Sequence, residues 1–111
     1  METIQGSDFE KLDIRVGTVI EAKEFPQARK PAYQLTVDFG AAGVKKSSAQ
    51  ITAHYLPADL LGKQVIGLLN LPVRQIANFF SECLVLGIYD ASGQVVLLQP
   101  ERPVDNGMRI G

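Results

Sequence analysis

The groups in this chain with chemistry to offer are amides, cationic side chains, hydroxyls and aromatic rings, and they gather on connections between apolar runs. Between Val65-Ile66-Gly67-Leu68-Leu69 and Cys83-Leu84-Val85-Leu86-Gly87-Ile88 a connection opens Asn70-Leu71-Pro72 and carries Arg74. It then presents Phe79 and Phe80 and closes Ser81-Glu82. Such groups suit the charge, hydrogen bonds and stacking of a polymer ligand better than a buried chemical step. The connection is longer than strand pairing needs, and long loops in compact domains are commonly functional. Two further basic pairs, Arg29-Lys30 and Lys45-Lys46, lie upstream.

Catalysis finds little support. His54 is the only histidine. Without a second His or a Cys beside it, it makes a poor metal site. Without a nucleophile elbow or a spaced acid, it makes a poor base. Gly40 to Gly43 lacks the following Lys and Ser or Thr of a phosphate loop. The chain is expected not to be an enzyme and to need no cofactor or metal.

The whole chain carries a net charge of −1, which argues against indiscriminate nucleic-acid binding, but the charge is unevenly spread. Met1 to Glu24 holds six acids against Lys11, Arg15 and Lys23. Phe25 to Ser81 holds six bases against only Asp38 and Asp59. The middle is thus locally basic inside an acidic whole. The lone Cys83 sits in an apolar run, reads as a small buried hydrophobe, and fits a reducing compartment. No signal segment and no span-length apolar run is visible, so a cytoplasmic protein without membrane insertion is expected.

These loops need a scaffold, and at 111 residues one domain is expected over residues 1–111. Ser7-Asp8-Phe9-Glu10 predicts a capped short helix with Phe9 and Leu12 on its apolar side. Ile14, Val16, Thr18, Ile20 and Ala22 alternate with more polar residues as a half-buried strand, and Gly17 suggests a bend in it. Phe25 to Pro31 is a loop. Tyr33 to Phe39 alternates as a second strand, Gly40 to Gly43 turns, and Val44 to Ala49 returns as a third. Pro57 to Leu61 predicts one helical turn ended by Gly62. The runs at Val65 to Leu69 and Cys83 to Ile88 read as buried fourth and fifth strands, and Gln94 to Leu98 as a short last one. Five or six short strands, a short N-terminal helix and a helical insertion between strands three and four fit an all-β OB-fold Greek-key barrel. That architecture commonly binds oligonucleotides.

Several separated motifs then carry a family resemblance. Leu12-Asp13-Ile14-Arg15-Val16-Gly17, Tyr33 to Gly40, Asn70-Leu71-Pro72, Arg74 and Ser81-Glu82 resemble the tRNA-binding domain. Ser47 to Thr52, Ile76-Ala77, Ser81 to Gly87, Val95 to Pro100 and Asn106-Gly107 look like its CsaA branch of small bacterial proteins. The resemblance covers nearly the whole chain. It implies an OB-fold homodimer that binds tRNA by shape and backbone, without catalysis. For the CsaA branch it also implies a chaperone role, holding unfolded export precursors for the translocation ATPase. Carried over by position, the tRNA-facing candidates are Arg29, Lys30, Asn70, Arg74, Ser81 and Glu82. Gln75 and Ala77 stand where relatives often carry more bases, so weaker tRNA binding is expected.

Each candidate has a plainer alternative. Arg74 can meet phosphate or pair with Glu82. Ser81 and Glu82 can bond a ribose or base, or fix the loop through backbone amides, the reading favoured for Glu82. Asn70 reads as a turn device. Lys45 and Lys46 flank the binding face or form a solvated hairpin. Consecutive Phe79 and Phe80 point to opposite sides of an extended segment, so at least one faces outward, to a base, a peptide or a second subunit. The apolar tail Val104 to Ile110 is read as a cover for a partner copy.

Overall fold

The computed structural model describes every residue from Met1 to Gly111. The chain is all-β apart from short helical turns. Its main sheet runs β3-β2-β1-β4-β7, with β1 Ile14–Glu24, β2 Tyr33–Asp38, β3 Val44–Ala49, β4 Gln64–Leu68 and β7 Leu84–Val85. The five strands curl into a nearly closed OB-type barrel. Helix α1 (Gly6–Glu10) precedes it, and α2 (Pro57–Leu60) lies between β3 and β4 where the sequence places it. Four more short strands form two antiparallel hairpins, β5 Arg74–Ile76 with β6 Phe79–Ser81, and β8 Gly87–Tyr89 with β9 Val95–Leu97. No helix is long and apolar enough to cross a membrane.

The main core holds Val19, Leu35, Val37, Phe39, Leu60 and Val65, each at most 1% exposed. Phe39 sets the shape of its centre. A Cβ on Gly17 would lie 2.6 Å from the Phe39 ring, and one on Gly67 also 2.6 Å. Both glycines are therefore needed as gaps in adjacent strands for one ring to fill. The sequence assigns Gly17 to a bend, but the irregularity in β1 comes later. Pairing slips between Val19 and Glu21, a bulge that leaves Ile20 out of the ladder with β2. Val19 enters the core in phase with Gly17, which faces Phe39, and Ile20 stays 52% exposed. The bulge shifts the alternation beyond it by one, so Ala22 rather than Glu21 packs next against the core.

Four other expectations change. The α1 N-cap is Gln5, whose N–H donates to the Asp8 carboxylate at 2.9 Å. Ser7 is already inside the helix, and Phe9 and Leu12 remain exposed. The run Cys83 to Ile88 is not one buried strand. It splits between β7 and β8, burying Cys83 and leaving Leu84 and Ile88 outside. Burial pushes the Cys83 thiol up to about 11. The connection after β4 is largely the β5–β6 hairpin rather than an open loop. The tail Val104 to Ile110 lies along its own chain: Val16 N–H donates to Met108 O, and Gly107 and Ile110 N–H donate back to Val16 and Ile14. Strand β2 pairs with β1 only from Thr18 to Glu24, so the tail covers the edge from Ile14 to Gly17 that β2 leaves free.

Candidate nucleic-acid interface

The β5–β6 hairpin pairs Ile76 with Phe79 and Gln75 with Phe80, so the two rings fall on opposite faces. Phe79 is 9% exposed and joins Phe25 and Ala32 in a second small core, with Ala28 and Ile76 against it. Phe80 is 55% exposed. The outward ring of the pair is Phe80, and Phe79 is withdrawn from any peptide contact by its packing. Ala77, at the hairpin turn, has φ +54°, a left-handed conformation costly for a residue with a Cβ.

Behind the hairpin, residues 81–83 close the barrel against β3. Glu82 N–H donates to Lys46 O at 2.7 Å, and Lys46 N–H donates to Glu82 Oε1 at 2.9 Å. Ser48 N–H donates to Ser81 Oγ, and the fully buried Ser47 hydroxyl donates to Cys83 O. Side chains thus replace part of a backbone ladder between β3 and the two-residue β7. Glu82 is engaged with the Lys46 amide, and no Arg74–Glu82 ion pair forms. Asn70 has a similar role elsewhere. It accepts the Asp13 N–H at 2.9 Å and donates to Lys11 O at 2.7 Å, tying the end of β4 to the entry of β1.

The bases are differently disposed. Arg29, Lys30, Lys46 and Arg74 are exposed, Lys45 is half-buried, and none of the five is in an ion pair. Arg29 and Lys30 ride on the loop that Phe25, Ala28 and Ala32 hold to Phe79 and Ile76. Arg74 is on β5 of the hairpin, and Lys45 and Lys46 are on β3, which packs beside β6. Three basic segments far apart in sequence therefore surround one hairpin. Sequence reasoning found the bases and missed Phe25, the residue that assembles them; its one signal was an aromatic ring directly before Pro26. No group of three or more His, Cys, Asp or Glu side chains converges to hold a metal.

His54 is joined to Asp90 at 2.7 Å between Nε2 and Oδ2. Beside it Tyr55 receives the Leu97 N–H on its hydroxyl, and its carbonyl accepts from the Tyr33 hydroxyl. These bonds fasten the β8–β9 hairpin to the barrel.

Residues 14–109 match the family model for the tRNA binding domain. The chain belongs to the tRNA-binding domain family. Among solved structures, this family member is similar to the chaperone CsaA of Bacillus anthracis str. Ames, with 48% identity and a TM-score of 0.94 over 99% of this chain and all of that one. It is also similar to the CsaA chaperone protein of Picrophilus torridus, with 46% identity and a TM-score of 0.92 over 98% of this chain and all of that one. Among curated relatives, 98% of the chain matches 16% of a methionine–tRNA ligase of Porphyromonas gingivalis (strain ATCC BAA-308 / W83) at 38% identity. The chain thus spans about a sixth of the length of the curated relatives it matches.

Proposed function

We propose that this tRNA-binding-domain protein is a non-catalytic, cytoplasmic tRNA binder of the CsaA type. In this reading it works as a homodimer and holds unfolded export precursors for the translocation ATPase. The observation that carries the tRNA part is the set of five unpaired bases, Arg29, Lys30, Lys45, Lys46 and Arg74, around one hairpin. Cations without acid partners release counterions on meeting phosphate, so binding is electrostatic and led by shape. Ser81 and Glu82 shape this face from behind, Asn70 braces the junction of β4 and β1, and a ribose hydroxyl or base edge is the proposed second use of all three.

The chaperone part rests on Phe80, an exposed ring on the outward face of the hairpin, and on the similarity to CsaA chaperones. The homodimer rests on exposed apolar residues of the β8–β9 hairpin. Ile88 and Val96 pair across strands while both stay open to solvent, and Tyr89 is 78% exposed. Exposed apolar patches mark interaction sites, and two-fold pairing is the commonest cover.

Titration of the purified protein with tRNA and with an unfolded precursor, at several salt concentrations, tests the reading. Expected are tRNA binding that weakens steeply with salt, precursor binding that weakens little, and a dimer by sedimentation at micromolar concentration. Absence of tRNA binding at low salt, or a monomer throughout, refutes the corresponding part.

A further inference from the structure

A recess of about 360 Å³ lies between the end of β1 and the loop that follows it. That volume is at the small end of the roughly 300–1,000 Å³ of small-molecule sites. Phe25, Pro26 and Ala32 give it apolar walls, and Glu24, Arg29 and Thr52 give it polar groups. The walls are fixed, because Phe25 is 3% exposed and held by Phe79, and the lining Tyr33 has its hydroxyl bonded to Tyr55 O. Glu24, Arg29 and Thr52 make no side-chain hydrogen bond or ion pair within the chain. A recess of this size with apolar walls and an unused carboxylate, guanidinium and hydroxyl has the chemistry for a heterocycle.

We propose that this recess receives one unpaired base of the bound RNA, that Glu24 reads the base's hydrogen-bond donors, and that guanine is preferred. The inference rests on the tRNA-binding reading and adds a base preference to it. The sign of Glu24 decides the class of group read. A carboxylate repels phosphate, so its place in a recess shared with Arg29 favours a base edge that donates. Guanine offers two adjacent donors, N1–H and N2–H, to the two carboxylate oxygens. Adenine and cytosine each offer one amino group beside an acceptor, and uracil offers one N–H between two carbonyls. Unstacked bases are read in this way on their Watson–Crick edges, with an aromatic or guanidinium surface against the ring.

The test uses single-stranded heptauridylate with the central base changed to G, A or C, or left as U, followed by fluorescence anisotropy alongside intact tRNA. The full chain is expected to bind the G-centred strand roughly tenfold more tightly than the U-centred one, the scale of one bidentate base contact. Glu24→Ala removes the preference. Glu24→Gln moves it toward adenine, whose amino group and N1 match a side-chain amide. Neither variant changes the salt slope, since no cation is lost. Glu24 is exposed, and circular dichroism checks that both variants fold. Binding of tRNA with no base preference, or with one that survives both substitutions, overturns the recess assignment and leaves tRNA binding intact. Failure of tRNA and all four strands to bind overturns both. Displacement of the G-centred strand by unfolded polypeptide with equal strength from the full chain and from Glu24→Ala assigns the recess to peptide and also overturns it.

Discussion

The rings of Phe25 and Phe79 meet with centroids 5.4 Å apart and planes tilted by 59°. They lie in different segments, one at the entry of the basic loop and the other on β6. A tilted pair in this range is favoured over area burial alone by about 0.5–1.5 kcal/mol. Burial of each ring adds roughly 1.5–3 kcal/mol. That is enough to order a loop of two prolines and few hydrogen bonds, in which Ala28 N–H donates to Phe25 O.

Phe79→Ala should therefore cost about 3 kcal/mol of stability and also weaken tRNA binding, although Phe79 touches no ligand. Phe25→Ala should behave alike. The double variant should lose clearly less than the sum, because both remove one shared contact. Denaturant unfolding of the four proteins measures this, and full additivity would separate the two rings.

Arg29→Ala, Lys30→Ala and Arg74→Ala should each lower affinity for different tRNAs by similar factors. Each should reduce the salt slope by about one unit per lost phosphate contact. Anisotropy titrations against two unrelated tRNAs at four salt concentrations provide the check. Discrimination between the tRNAs that none of the three substitutions alters would contradict a shape-led mode.

Phe80→Ser should weaken binding of unfolded polypeptide more than binding of tRNA. Loss of a buried aromatic contact in the complex removes roughly 1.5–3 kcal/mol, while the phosphate contacts survive. Since Phe80 is already 55% exposed, the variant should keep its fold and oligomeric state. Equal loss for both ligands would indicate damage to the hairpin instead.

Asp90 makes acid stability depend on the β8–β9 clasp. The hydrogen bond from His54, then those from the Gln94 and Ser92 amides, hold its carboxyl below the ordinary carboxylate range. Because the folded value is lowered, its contribution is present above the unfolded value of about 3.9. It is lost as pH falls from there through the folded value. Unfolding midpoints of the parent and Asp90→Asn should therefore differ at neutral pH and converge below about pH 4. A constant difference down to pH 2 would remove this linkage.

Much of the scaffold is legible in the residues themselves. Tyr33, Leu35 and Val37 alternate with polar neighbours, Gly40 to Gly43 can turn, and Val44 to Ala49 returns. A hairpin follows because each step is local, and the structure places β2 and β3 there. Pro57 and Gly62 likewise bound a helical turn through their own backbone preferences, with Gly62 at φ +81°. The basic middle of the chain was equally readable, since charge is a property of composition.

Tertiary structure alone decided what depends on partners distant in sequence. Ile20 alternates as if for the core, yet Gly17 faces Phe39 and Val19, in phase with it, enters the core instead. Gly17 and Gly67 look like separate breaks until Phe39 is laid across both. Glu82 and Asn70 belong to a binding motif by position, but the amides of Lys46 and Asp13 engage them. The apolar tail suits a second subunit by composition, and β1 has an open edge that its own chain can reach first. Which of Phe79 and Phe80 turned inward depended on Phe25, more than fifty residues upstream. Local preferences and alternation act between near neighbours, whereas a bulge, a shared ring or a borrowed hydrogen bond exists only once remote segments meet.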